Sequence, residues 1–209
     1  MPSQHVPPHE SVLASIAGTD TDLQAIFELD AVTNDRLRAE QQLLPGIGLE
    51  ELVFGVPHAA VVNAAFCHAH PLGSRFSGPD RGVWYAAFDL ATSQTEVGFH
   101  KTVQLAEIGR FDDSVTFDDY LADFTGSFHD LRRGHAHRAC LDPASYLASQ
   151  AIGESLLDAG SLGVVYPSTR RPRGTCLACF RPAVVSNVRR GRTYRFTWSG
   201  TPEPVITTI

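Results

Sequence analysis

The sequence predicts an α+β fold, and three observations carry that prediction. Apolar runs of strand length recur at irregular intervals instead of alternating evenly with helices, which argues against a doubly wound parallel sheet. Three of them, GVVYPS, TCLACF and RTYRFTW, lie close together between residues 163 and 198, joined by Arg-rich turns. Helix start signals stand elsewhere, at Thr92 and at Asp142-Pro143.

Taken in order, residues 1–9 hold three prolines and two histidines and are expected to be extended or disordered. Residues 10–42 read as helical, with Leu23, Ile26, Phe27, Asp30 and Leu37 at helical spacing and breaks near Gly18 and at Pro45-Gly46. AAVVNAAFCHA, 59–69, is an apolar run that fits a buried strand. GVWYAAFDL, 82–90, is rich in β-formers and reads as a second strand. Thr92 then caps a helix running to about Ala106, with Thr95 and Glu96 in its first turn. Residues 113–129 alternate like a strand. Asp142 and Pro143 provide a cap and a first-turn proline for a helix to Asp158, which Gly160 ends.

Composition narrows the class. With 209 residues, 43% hydrophobic, the chain can bury a substantial core in one main domain. No run of about 18 apolar residues predicts a membrane span, and MPSQHVPPHESV lacks the features of a secretory signal. Four cysteines without framework spacing point to a reduced, cytoplasmic protein. The net charge of -6 is unevenly spread: residues 1–56 carry nine acidic side chains, whereas residues 161–200 carry eight arginines and no acid. Guanidinium forks match phosphate and carboxylate, so this end suits a phosphorylated ligand, an acidic partner, or the chain's own acidic segment.

Four kinds of site compete. His68-Ala-His70, His135-Ala-His137 and Cys176-x-x-Cys179 resemble metal-ligand pairs, but zinc needs four convergent ligands, and strand spacing sends Cys176 and Cys179 to opposite faces. Ser168, Cys67 and Cys140 are nucleophile types without a nucleophile motif around them. Arginines interleaved with Tyr166, Phe180, Tyr194, Phe196 and Trp198 fit a nucleic-acid surface, against an acidic net charge and no recognition helix. The fourth set joins RFSGPDRGVWYAAFDLATSQTEVGFH to YPS: Arg75 before a Gly-containing turn, Tyr85 on the next strand, Glu96 on the following helix and Ser168 at the end of a distant strand. These four are either surface charges beside a core tyrosine or the mouth of an anion site.

The same residues resemble the RES domain, which is named for an arginine, a glutamate and a serine. The resemblance covers roughly residues 57–198, through RFSGPDRGVWYAAFDLATSQTEVGFH and GVVYPSTRRPRGTCLACF. It implies a division into a helical N-terminal extension, 1–56, and a RES domain, 57–209. It also implies an ADP-ribosyltransferase-like split β-sheet core with flanking helices. The implied site is catalytic Glu96, Arg75 and Ser168, with Tyr85, Arg170 and Arg81 joining Arg75 and Ser168 in binding the substrate. Members are toxins of bacterial toxin–antitoxin modules that consume NAD, need no metal, and pair with a helix-turn-helix antitoxin whose C-terminal end plugs the site. Neither a membrane nor direct nucleic-acid contact is implied. Transfer of ADP-ribose to phosphate, to water or to a target protein all fall within the resemblance, as does a non-catalytic binding module. Where RES domains usually carry a first-strand arginine, this chain reads VVNAAFCH; Asn63 and His68 are the polar residues nearby, and neither does the same job.

The chemistry suits the residues. The nicotinamide–ribose bond has a leaving group that already carries positive charge and departs neutral, so it needs no general acid. One carboxylate, Glu96, suffices to steady the developing ribosyl cation. Arg75 would clamp pyrophosphate or hold an attacking phosphate, Tyr85 would stack on nicotinamide, and Ser168 would orient ribose or the amide. Arg170, Arg171 and Arg173 would meet phosphate or an acidic antitoxin tail.

Overall fold

A computed structural model describes residues 43–133 and 138–209. The helices expected within residues 10–42, and the pair His135 and His137, lie outside the described residues. The α+β class is borne out by two separate sheets and three α-helices among the described residues. The chain runs α1 (Ala59–Cys67), β1 (Trp84–Ala87), α2 (Leu90–Glu107), β2 (Asp112–Phe124), β3 (His129–Asp130), α3 (Leu147–Asp158), β4 (Gly163–Pro167), β5 (Thr175–Cys179), β6 (Val185–Ser199) and β7 (Val205–Thr208). One sheet has the order β1-β5-β4-β3, the other β2-β6-β7. No helix among the described residues is long and apolar enough to cross a membrane.

The first sheet separates two cores. Trp84, Leu177 and Cys179 turn to the face covered by Val62, Phe66 and Cys67 of α1. Val164, Tyr166, Cys176 and Ala178 turn to the opposite face, with Phe76 and, from α3, Ala148, Ile152 and Leu156. Register places Tyr85 beside Ala178 and Val164, and Ala87 beside Cys176 and Tyr166. Strand alternation therefore gives Tyr85, Cys176 and Tyr166 one common face. The second sheet packs Phe196 and Trp198 against Leu105 of α2, and the Trp198 indole donates to Thr102 Oγ1 at 2.9 Å.

Three expectations need correction. Residues 59–67 form a helix, not a strand. Its buried positions, 59, 62, 63, 66 and 67, follow helical spacing, and Asn63 sits in the buried stripe because its amide accepts from Val53 N and donates to Val53 O. That leaves Asn63 committed to the backbone and His68 exposed, so neither stands in for a site arginine. The cap of α2 is Asp89, whose carboxylate accepts from the Thr92 amide at 2.9 Å; Thr92 lies a turn inside. Third, Asp142-Pro143 does not start α3. Asp142 closes a short turn on the Ala144 amide, and its carbonyl, which would have to accept the first helical bond, is taken by Arg75 at 3.0 Å. The helix begins at Leu147.

Residues 43–54 pack onto the first core through Ile47 and Leu52, and an ion cluster fixes them there. Arg81 donates to both oxygens of Glu51 at 2.8 Å and to the carbonyls of Gly46 and Phe180. Arg181 adds a bond to Glu51 Oε2 at 2.9 Å. The hydrogen bonds from Arg81 outweigh the burial penalty and, with its charge, hold the Glu51 carboxyl at about 2. A depressed carboxyl pKa contributes stability that is fully present above the ordinary value of 4.5 and is lost as pH falls toward 2. Glu51→Ala is expected to destabilise the fold by on the order of 3 kcal/mol, because it leaves buried Arg81 unpaired. Urea denaturation at pH 7 checks this, and the variant should lack the wild-type loss of stability between pH 4 and pH 2 that Glu51 supplies.

Candidate functional site

The site grows from one sheet face and one helix. β4 alternates Val164, Tyr166 and then Ser168 toward the α3 side, and Ser168 opens the turn into β5, where its amide donates to Gly174 O at 2.9 Å. Glu96 lies in the second turn of α2. The two meet: the Ser168 hydroxyl donates to Glu96 Oε1 at 2.5 Å. The same hydroxyl oxygen accepts from the amides of Arg170, at 3.2 Å, and Arg171, at 2.9 Å. Two accepted bonds and one donated bond use the whole capacity of a serine hydroxyl. Its single proton is spent on Glu96, where Oε1 accepts it.

Arg75 is 7% exposed. Its NH1 donates to the carbonyls of Cys140 and Asp142 at 3.1 and 3.0 Å, its NH2 donates to Thr169 Oγ1 at 3.0 Å, and its guanidinium lies 4.7 Å from the centre of the Tyr146 ring. Through Thr169 it abuts the residue next to Ser168. Among the described residues no carboxylate pairs with it. Both NH1 protons have carbonyl acceptors and one NH2 proton has Thr169, so a two-pronged contact in this arrangement falls to the Nε–H and the remaining NH2 proton.

Tyr85 stands beside Arg75. Its hydroxyl hydrogen-bonds Ser74 Oγ at 2.8 Å and accepts from the Phe76 amide at 2.8 Å. The residue is 37% exposed, so the ring is open to solvent while the oxygen is enclosed, and that enclosure pushes the phenol up despite the two hydrogen bonds. Behind it Tyr166 is raised well above its ordinary value, first by burial and then by Tyr85, Cys176 and Glu96. A cleft of about 910 Å³ opens between the sheets, lined by Tyr85, Phe88, Ser93, Val97, Tyr120 and Phe128 among others; Arg75, Glu96 and Ser168 lie outside its lining.

Arg170 and Arg81 part ways. Arg170 stacks 3.6 Å over the Phe99 ring and donates to Pro143 O at 2.8 Å, which puts it on the site side of α2. Arg81, expected to bind phosphate, is 6% exposed and spends its fork on Glu51, Gly46 and Phe180. It does not join the cluster. Arg173 sits exposed at the turn in left-handed backbone, φ 65°.

Sequence reasoning missed four neighbours. Thr169 and Tyr146 hold Arg75. His100 is one helical turn beyond Glu96; loss of solvent pushes its pKa down, Glu96 opposes this, and Arg170 and Arg75 reinforce it. Cys176 places its sulfur 3.9 Å from Glu96 Oε1. The i, i+4 spacing of Glu96 and His100 was the one signal that could have revealed any of them. The other site readings weaken. Cys176 and Cys179 belong to opposite cores, His70 Nδ1 accepts from the Leu72 amide, and no group of three potential metal ligands forms among the described residues. Among the described residues, acids of the same chain answer four of the eight late arginines: Asp89 for Arg171, Glu51 for Arg181, Asp123 for Arg189 and Asp118 for Arg190.

An α+β domain that brings an arginine, a glutamate and a serine from three separate elements to one place is the arrangement for which a family is named. The chain belongs to the RES domain family, whose sequence model matches residues 52–199. A comparison with curated proteins found no match.

All four thiols are buried and unpaired. Burial pushes Cys67, Cys140 and Cys179 up, the last to about 11, and burial together with the Glu96 charge pushes Cys176 to about 12. A thiol-disulfide reagent at pH 8 is therefore expected to titrate none of them in the native protein and four after denaturation. Rapid native labelling of Cys176 would show the floor of the site to be open.

Proposed function

We propose that this RES-domain protein cleaves the nicotinamide–ribose bond of NAD and passes ADP-ribose to phosphate or water, acting as the toxin of a toxin–antitoxin pair. The observation that carries the reading is a carboxylate held at one oxygen by Ser168, close to a buried guanidinium that has no carboxylate partner among the described residues. A fixed anion beside a cation awaiting one suits a substrate that develops positive charge on its sugar and carries negative charge on its phosphates.

In the reaction the bond between ribose C1′ and the nicotinamide nitrogen breaks, and its electron pair neutralises the departing pyridinium. An oxygen of phosphate or water bonds to C1′; with water, one proton is released to solvent. Glu96 acts on the cation through its second oxygen, Oε2, because Oε1 is occupied by Ser168. Ser168 thus serves by holding Glu96, with no hydrogen-bonding capacity left for ribose or amide. Arg75 supplies a positive field in a site of low exposure, where charge acts strongly. Its present acceptors, the carbonyls of Cys140 and Asp142, are the groups a ligand phosphate would replace. The open ring of Tyr85 offers a stacking face on the same side of the sheet as Tyr166 and Cys176.

Incubating the purified protein with NAD, with and without inorganic phosphate, tests the reading. Release of free nicotinamide is expected. ADP-ribose phosphate formed only with phosphate identifies a phosphorylase, and plain ADP-ribose identifies a glycohydrolase. Glu96→Gln is expected to lower the rate by on the order of 10²–10³-fold with an unchanged melting temperature. Intact NAD in both tubes, or wild-type turnover by Glu96→Gln, would overturn it. Labelling of a protein in cell extract would instead favour transfer to a protein side chain.

A further inference from the structure

The side chain of Arg171 has no part in the chemistry above, yet it lies in an unbroken hydrogen-bond path to Glu96. At the start of α2, Asp89 accepts from the Thr92 amide at 2.9 Å and from the Thr92 hydroxyl at 2.7 Å. Thr92 is fully buried, and its hydroxyl oxygen accepts in turn from Arg171 NH1 at 3.1 Å. Arg171 NH1 also lies 3.4 Å from Asp89 Oδ1. The backbone amide of Arg171 then donates to Ser168 Oγ at 2.9 Å, and Ser168 donates to Glu96 at 2.5 Å. Gly174 allows this approach: a Cβ there would stand 2.7 Å from Thr92 Oγ1 and 3.0 Å from Ser168 Cβ.

We propose that Arg171 is a positioning residue for Glu96, clamping the Ser168 turn to the capped end of α2 and so setting where the carboxylate points. The proposal rests on the role given to Glu96 above. It differs from the phosphate or antitoxin contact that a turn arginine suggests from sequence alone. Both ends of the clamp are on the same helix: Asp89 and Thr92 at its start, Glu96 one turn later. Any slip of the turn therefore moves Ser168 relative to Glu96 without unfolding either element. The Arg171–Asp89 pair is more than a third exposed on both sides and contributes little to stability. Position is where it counts, because a displacement of about 1 Å at a reacting group costs up to ~10²-fold in rate.

Three variants test this: Arg171→Gln; Thr92→Val, which keeps the shape and removes the hydroxyl; and Ser168→Ala. Arg171→Gln and Thr92→Val are each expected to lower kcat about tenfold with KM for NAD within about twofold of wild type. In the Ser168→Ala background, adding Arg171→Gln should change kcat less than twofold, since the path is already cut. A rise in KM with kcat preserved would make Arg171 a phosphate contact and overturn the proposal. So would an undiminished effect of Arg171→Gln in the Ser168→Ala background. A second readout needs no substrate. Amide hydrogen exchange at Arg170 and Arg171, which both bond Ser168, should speed up about tenfold in Thr92→Val while the α2 core amides stay protected. If the wild type releases no nicotinamide, the NAD reading falls and the exchange data decide the clamp alone; unchanged exchange overturns it.

Discussion

The bond from Ser168 to Glu96 joins a strand end to a helix, and everything near it is arranged to keep that span short. The helix cannot drift, because α2 is held on opposite faces at once. Gly98, Thr102 and Leu105 lie against the second sheet, while Thr92 and Glu96 face the turn that leaves the first. A helix pinned between two sheets converts the packing of either sheet into the position of one carboxylate. A serine whose oxygen already takes two amides has one direction in which to donate, so hydrogen-bond satisfaction fixes orientation as packing fixes height.

Arginine does two different things in this molecule, and burial together with the acceptor set separates them. Arg81 is buried with a carboxylate and two carbonyls, and its Nε is left without a partner. That is a closed structural contact with no room for a ligand. Arg75 is equally buried but, among the described residues, is answered by carbonyls, a hydroxyl and an aromatic face. Neutral acceptors disperse a buried cation without neutralising it, so the site retains a positive potential that a phosphate could meet. Exposure alone would have ranked the two together.

The strands were legible in the sequence where side chains alternate between two covered faces. GVVYPS and TCLACF form β4 and β5 as expected, and the aromatic WYAA forms β1. The run at 59–67 was misread because an apolar stretch rich in alanine lacks the polar face that distinguishes a helix from a strand; here nearly every side of it is at least partly covered. Of the four residues singled out from the quoted segments, Glu96 and Ser168 are brought into contact, and Arg75 and Tyr85 lie against neighbouring residues of the same site. What pattern could not supply was what each group is bonded to. Whether Arg81 or Arg75 is tied to a carboxylate depends on where Glu51 lies, a fact set by packing over about thirty residues of chain. β7 was invisible for a simpler reason: four residues of a short edge strand leave almost no periodicity to read.

The Glu51 cluster bears on where this domain can be cut or joined. The stretch matched by the family begins at Leu52, so Glu51 falls one residue outside it, yet Glu51 is the shared anion of Arg81 and Arg181, both inside. A boundary drawn by similarity would divide a charge cluster, stranding two cations on the far side. Any shuffling of this module between chains must carry the short preface along with it, or replace its carboxylate from the new neighbour. In physical terms the module starts where its last buried charge is balanced, one residue before the shared sequence pattern begins.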